Sequence, residues 1–497
     1  MYNILYCVML SSKVRKKSLD KHQNETFQKD LTQGSVAKHL ILFSLPFLAS
    51  NFLQALYSMG DMFFVGRYGG PVGASAVGIG GQVMYLTLSL IGGLTVGGTV
   101  LIAQLFGAKR QDQLSRTIGT MFSLYGIAAL AMTALMLALN PLILRPLATT
   151  PEVYEEALRY VNVCTLGLLP IFGYNGVSAV LRGMGDSRHP LAFVTVAALL
   201  NVALDALFCG PMGRGAAGAA WATVISQGVS FLLSVLYLRR RKFLFDFSPR
   251  SFRLDRELAR KLLKIGLPSS IQGTLVTFSF MVLMAVAGSI AGVVGSTALS
   301  ITGRVNSMAI LPAFAMQAAV SSMAGQNLGA GKHRRAFRTM ATAVGITLGI
   351  SVALFLLVRQ FATPIVQLFL GDIASNRGGL DPETARQCVE QSALYLRNLS
   401  WDYLLVSFVF NIAGLAIAAG QTRFAMATAL VSSLLVRAPM AWLLGKTLDL
   451  GLANMAFAAT IATAVTLIIQ LIYLAAGVWK KGKLVRPEDA LPEGVAL

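Results

Sequence analysis

The sequence predicts an all-α polytopic membrane protein, with about twelve transmembrane helices arranged as two six-helix lobes that are parallel repeats. Three observations carry this. Of its 497 residues 55% are hydrophobic and only 13% are charged, where a soluble chain carries about a quarter charged residues. Apolar runs of roughly 18 to 25 residues, the length that crosses a hydrocarbon core, recur along nearly the whole chain. The second half also repeats the pattern of the first.

The spans follow in order from apolar length and flanking charge. Those of the first copy are placed at 39–66, 77–103, 118–140, 158–181, 189–209 and 216–238. Those of the second are placed at 262–288, 296–323, 340–361, 394–419, 424–445 and 452–478. The first lobe is therefore expected over 36–238 and the second over 262–478. A cytoplasmic tail (1–35), a cytoplasmic linker (239–261) and a second tail (479–497) complete the chain. The apolar run Met1–Leu10 is too short to span and is expected to lie in the first tail.

The repeat is read residue against residue. Pro46 matches Pro268, Gly66 matches Gly288, and the turn Gln104–Ala108 matches Gln326–Ala330, all at a separation of about 222 positions. Farther on, Gly185–Arg188 matches Gly420–Arg423 at about 235, and the longer outer stretch Gly371–Gln387 accounts for the difference. With six spans per copy, both copies enter the membrane from the same side. Parallel copies of this kind enclose a substrate path between two bundles and suit alternating access.

The net charge of +20 sits mostly in alternate loops and the termini, as in KVRKK, Arg239 to Lys264, and WKKGK. This is the positive-inside bias, and it places both termini in the cytoplasm. The basic face reads as a topology signal that contacts anionic lipid, not as a nucleic-acid surface. Cys7, Cys164, Cys209 and Cys388 show no CxxC spacing and imply no metal site. A disulfide between Cys209 and Cys388, both near the outer face, is open but not specified by spacing.

Two carboxylates stand inside apolar spans, Asp61 and Asp205, and both are in the first copy. The matching places in the second copy hold Leu283 and Met440. An ionisable group at membrane depth is costly and usually marks an ion or proton pathway. Each lies about one turn before the outer end of its span, roughly 6–8 Å inside the boundary by the helix rise, so the two can meet at one depth. Tyr57 and Asn201 each stand four residues before one of the acids, on the same helix face. They offer a phenol and an amide to the carboxyls. The plain alternative is structural: both acids bonded to backbone or to a neighbouring helix.

The segments LPFLASNFLQALYSMGDMFFVGR, AQLFGAKR, LRGMGDSRHPLAFVTVAALLNVALD, GAAGAAWATVISQ, RVNSMAILPAF and AGQNLGAGK together resemble the multidrug and toxic compound extrusion (MATE) transporters. The resemblance covers about residues 35–480. It implies the MATE fold, a monomer, and cation-coupled export of small cationic or amphipathic compounds across the cytoplasmic membrane, without a cofactor. In the proton-coupled branch of that family, residues at the matching positions form a polar pocket around the helix-one carboxylate. Here those are Tyr57, Asp61, Tyr160, Asn175, Asn201, Asp205 and Thr223. Substrate contact is expected at Asp61, Asn175 and Asn201. Neighbouring carboxyls in an apolar setting do not both carry charge cheaply. One would take a proton outside and release it inside, bending span one near Pro46. Na⁺ on the same Asp61/Asp205 cluster remains open. The family's sodium-coupled branch places acids in the second lobe, whereas spans seven and eight here hold no Asp or Glu.

The second lobe carries Arg304, Asp402 and Arg437 within its spans. They read as a charge network, with an ion pair between Asp402 and one arginine. The alternative ties Arg437 to lobe closure or to repelling cations. Met59, Met62, Phe63, Phe64, Met281, Met284, Phe314 and Met316 are apolar residues available to a greasy, adaptable cleft.

Enzyme signatures are missing. The four histidines lie in the tail or at cytoplasmic helix ends, and LGAGKH lacks the Gly and Ser/Thr that a phosphate-binding loop requires. A lipid-linked oligosaccharide flippase of the same superfamily is the nearest alternative, but it should carry a more cationic cleft. A passive channel or membrane enzyme fits the two-lobe repeat less well.

Overall fold

The computed structural model describes residues 29–148, 150–241, 243–374, 382–482 and 484. Most of both predicted tails, Cys7, His22 and part of the outer stretch 371–387 lie outside those residues. The described chain is helical with short connections. We number the helices α1 (Val36–Gly107), α2 (Gln111–Leu144), α3 (Pro151–Leu166), α4 (Leu168–Gly183), α5 (Arg188–Cys209) and α6 (Gly215–Arg240). The rest are α7 (Arg256–Ala309), α8 (Leu311–Gly329), α9 (His333–Ala374), α10 (Pro382–Ala418), α11 (Thr422–Leu430), α12 (Ala438–Trp442), α13 (Gly451–Met455) and α14 (Phe457–Ala475).

Among the described residues nine helical stretches are long and apolar enough to cross a membrane, or ten if the bent pair α3 and α4 is one span. The two longest of them each contain a glycine at a sharp break in the helix. The 72 residues of α1 would reach about 108 Å against a core of about 30 Å. It breaks at Gly70, where φ is 64° and ψ is −164°, a conformation open essentially to glycine alone. The 54-residue α7 breaks at Ala291 and Gly292, and α8 continues its second arm. Dividing both helices at these breaks gives twelve crossings. The chain is a multi-pass membrane protein.

Cα packing divides the chain into two compact units. One holds Met1–Gln33, Ala49–Ile91 and Gly98–Leu263; the other holds Gly34–Leu48, Gly92–Gly97 and Lys264–Leu497. The division crosses α1 two residues after Pro46, although its backbone stays helical there.

In the first unit α6 is the central helix, packing against α3, α4 and α5, while α2 packs against α3 and α4. Thr150 caps α3, its hydroxyl accepting the Val153 N–H at 3.4 Å, with Pro151 at the first turn. Gly167 then bends the span by 50° into α4. Asp186 starts α5 by accepting the N–H groups of Arg188 (2.9 Å) and His189 (3.4 Å) on one oxygen, and it pairs with the His189 ring through the other. The segment after α6 is folded onto this unit. Phe245, Phe247 and Phe252 all pack on Phe122, and the Thr120 hydroxyl donates to the Arg253 carbonyl and accepts from the Asp255 N–H.

The second unit centres on two apolar clusters. One joins Leu283, Val286, Ala287 and Leu299 of α7 to Tyr395 and Leu399 of α10, with Ala441, Leu452 and Met455. The other joins Ile301 and Val305 to Val358, Ala362 and Val366 of α9 and to Leu396 of α10. Between α11 and α12 the chain widens into a π-helical turn, Val431–Arg437, and a second such turn follows at Leu443–Thr447.

Candidate coupling site in the first unit

Asp61 on the first arm of α1 and Asp205 near the end of α5 are 4% and 0% exposed. Their carboxyls are neighbours within electrostatic reach of each other. Thr223 on α6 links them to the surrounding polar groups. Its hydroxyl donates to Asp61 Oδ2 at 3.1 Å and accepts from the Asn201 amide at 3.3 Å. Asp61 Oδ1 and both oxygens of Asp205 have no N–H or O–H donor among the described residues. Two carboxylates have no hydrogen to share, so a bond between them exists only when one is protonated. A buried pair of carboxyls with three oxygens lacking a protein donor is costly while both are charged.

Tyr57, one turn before Asp61, accepts a hydrogen bond from the Gln227 amide at 3.0 Å. Tyr160 of α3 is buried beside Asp61, Tyr57 and Cys164. Its place depends on the second arm of α1 coming close. A Cβ on Gly80 would stand 2.6 Å from Tyr160 Cδ1, so only glycine lets the ring lie there.

The structure thus gathers Tyr57, Asp61, Tyr160, Asn201, Asp205 and Thr223 within one unit. Asn175 is arranged differently: its amide donates to the Ile171 carbonyl of its own helix at 2.8 Å, and none of its hydrogen bonds reaches this cluster. Gln227 joins the cluster instead. The sequence signal for it was its position four residues after Thr223, on the same face of α6. Cys209 and Cys388 are buried free thiols, and no group of three or more His, Cys, Asp or Glu gathers as a metal site among the described residues.

In the second unit Asp402 is buried, with Arg437 within electrostatic reach and Thr463 beside it. No direct ion pair joins the two charges: Asp402 Oδ1 and Arg437 Nε are both buried without a hydrogen-bond partner. Arg437 ends the first π-helical turn. Arg304 is exposed elsewhere on the second arm of α7 and has no ion pair among the described residues. Of the apolar candidates, Met59, Met62, Phe63, Met281 and Phe314 are exposed, while Met316 is buried in packing.

Comparison with known proteins bears on the whole chain. The "Probable multidrug resistance protein YpnP" of Bacillus subtilis is 29% identical over 460 residues, 92% of this chain and 98% of that protein. The "Probable multidrug resistance protein NorM" of Thermotoga maritima is 26% identical over 90% of this chain and 94% of its own length. A solved structure, "Crystal structure of MATE in complex with MaL6", superposes with a TM-score of 0.83 at 25% identity, over 91% of this chain and 98% of that one. The family model MatE matches twice, over residues 46–207 and 268–443. The two matches begin 222 positions apart (268 against 46), the spacing of the internal repeat. With two thirds of its residues inside those two matches, the chain belongs to the MatE family of membrane multidrug transporters.

Proposed function

We propose that the protein is a proton-coupled exporter of small cationic or amphipathic compounds, working by alternating access with both termini in the cytoplasm. The observation that carries this is the buried pair Asp61 and Asp205, with three carboxyl oxygens lacking a donor. A proton arriving from the outer side halves the charge of the pair and turns one carboxyl into a donor toward the other. That change weakens the attraction of the site for a cationic substrate. It also alters what α1 is bonded to at Asp61, fifteen residues after Pro46. Pro46 has no N–H to give the preceding turn, and the unit boundary crosses α1 just beyond it, which makes this the natural place for the helix to bend. In this reading Tyr57, Tyr160, Asn201 and Thr223 hold the carboxyls in place. Asn175, half-buried with its amide on Ile171, is free to turn toward substrate when the pocket changes shape. The second unit's Asp402 and Arg437 compensate each other through space.

Efflux of ethidium, read as its movement into the lumen of everted vesicles under an imposed proton or sodium gradient, tests the reading. A proton gradient alone should drive wild-type efflux. Asp205→Asn should lower it by at least about tenfold, the effect of losing an essential acid–base group. Efflux that follows only a sodium gradient would move the same cluster to Na⁺. Efflux indifferent to both gradients, or unchanged in both Asp61→Asn and Asp205→Asn, would overturn the mechanism.

A further inference from the structure

Arg304 is the one strong charge on the second arm of α7 that the coupling scheme leaves unused. It stands twelve residues past the break at Gly292, about 18 Å along the helix and so near mid-membrane. It is nevertheless exposed. A guanidinium at that depth does not face hydrocarbon; it faces a water-filled cavity or a partner. Among the described residues it has no carboxylate partner, α7 carries no Asp or Glu after Glu257, and α8 carries none.

Arg304 lines a depression of about 240 Å³ together with Ser296, Thr297, Ser300, Ile301 and Phe369. Ser296, Ser300 and Arg304 recur at intervals of four, so they share one helix face. The Ser300 hydroxyl donates to the Ser296 carbonyl at 2.9 Å, and that of Ser296 donates to the Gly292 carbonyl at 3.0 Å. Both bonds go to carbonyls one turn earlier on the same arm, and either hydroxyl can turn to a better acceptor. The wall therefore offers a guanidinium fork and two reorientable O–H donors above an aromatic ring. Carboxylate and phosphate oxygens fit such a donor set, and cations do not. The first copy, 222 positions earlier, has Ala74, Gly78 and Gln82 at these places, so the feature belongs to the second copy alone.

We infer that this depression binds the anionic group, carboxylate or phosphate, of an amphipathic ligand, so that the substrates include anionic or zwitterionic amphiphiles as well as cations. The inference rests on the exporter reading for its purpose, while the binding site itself is testable without transport.

The test uses the full chain in phosphatidylcholine nanodiscs and titrates it into fluorescein, a soluble carboxylate, followed by polarisation. Saturable binding that excess inorganic phosphate competes away is expected. Arg304→Gln should weaken it about tenfold or more, and Arg304→Lys less, because a point charge replaces the fork. Ser300→Leu, which fills the depression without changing charge, should weaken it as well, and it guards against a misfolded Arg304→Gln. Asp205→Asn should keep fluorescein binding, so failure of the proton scheme and failure of this site are told apart. Adding phosphatidylglycerol distinguishes the sources of the anion. Competition by the lipid in the wild type only marks a headgroup occupant, and none marks a soluble one. Wild-type binding that does not saturate, or affinities in Arg304→Gln and Ser300→Leu within about twofold of wild type, would overturn the inference.

Discussion

The two copies of the repeat solve the problem of charge in a membrane in opposite ways. The first buries two carboxyls side by side and surrounds them with hydroxyl, phenol and amide groups, leaving three oxygens without donors. The second puts apolar side chains at the same places. Leu283 there is 2% exposed and packs among Val286, Leu299, Tyr395 and Met455. Its charges are displaced to Arg304 on an open face and to Asp402 and Arg437 elsewhere. One fold, duplicated, thus holds a buried acid pair in one half and apolar packing at the matching places in the other. A polar group in a helix bundle is tolerated where its neighbours supply partners.

That contrast can be broken most severely by forcing the second copy to imitate the first. Leu283→Asp places a carboxyl where the surrounding side chains are apolar, without the Thr223 and Asn201 that serve Asp61. It should cost about 3–5 kcal/mol of stability and show as a marked fall in the melting temperature of the purified protein. An unchanged melting temperature would mean that the second copy has hidden partners for a carboxyl. A milder break acts on the support of the acid pair. Gly80→Val drives a methyl group into the Tyr160 ring, and transport should fall about tenfold while the protein still assembles in the membrane. Normal efflux in that variant would remove Tyr160 from the site. The smallest effect sharpens the comparison. Gln227→Leu deletes the bond to the Tyr57 hydroxyl, worth about 1 kcal/mol, and should slow efflux a few-fold without altering which gradient drives it.

Much of this was legible in the sequence because membrane helices expose their exceptions. Asp61 and Asp205 stood out against apolar runs, and Tyr57 and Asn201 followed from four-residue spacing. The repeat followed from matched glycines and prolines. What could not be read was rotation. The span bends by 50° at Gly167, and beyond the bend Asn175 bonds back to the Ile171 carbonyl of its own helix. The π-helical turn ending at Arg437 likewise shifts the face that residue presents, and no spacing rule for α-helices anticipates it. Gln227 shares a helix face with Thr223, but a glutamine at membrane depth has many possible partners, so spacing does not single it out. Arg304, Asp402 and Arg437 read as one network in a linear sequence; in the structure the first stands apart from the other two.

The aromatic clamp after α6 has a consequence for how the molecule can be taken apart. Phe245, Phe247 and Phe252 lock onto Phe122, and Thr120 ties down the backbone at Arg253 and Asp255. The next residue, Arg256, already begins α7. The segment between the copies is therefore packed on the first copy up to the start of α7. Cut just after α6, the first fragment would lose part of its own core. For co-expression as two chains the segment through Asp255 belongs with the first, and tags or insertions are better placed elsewhere.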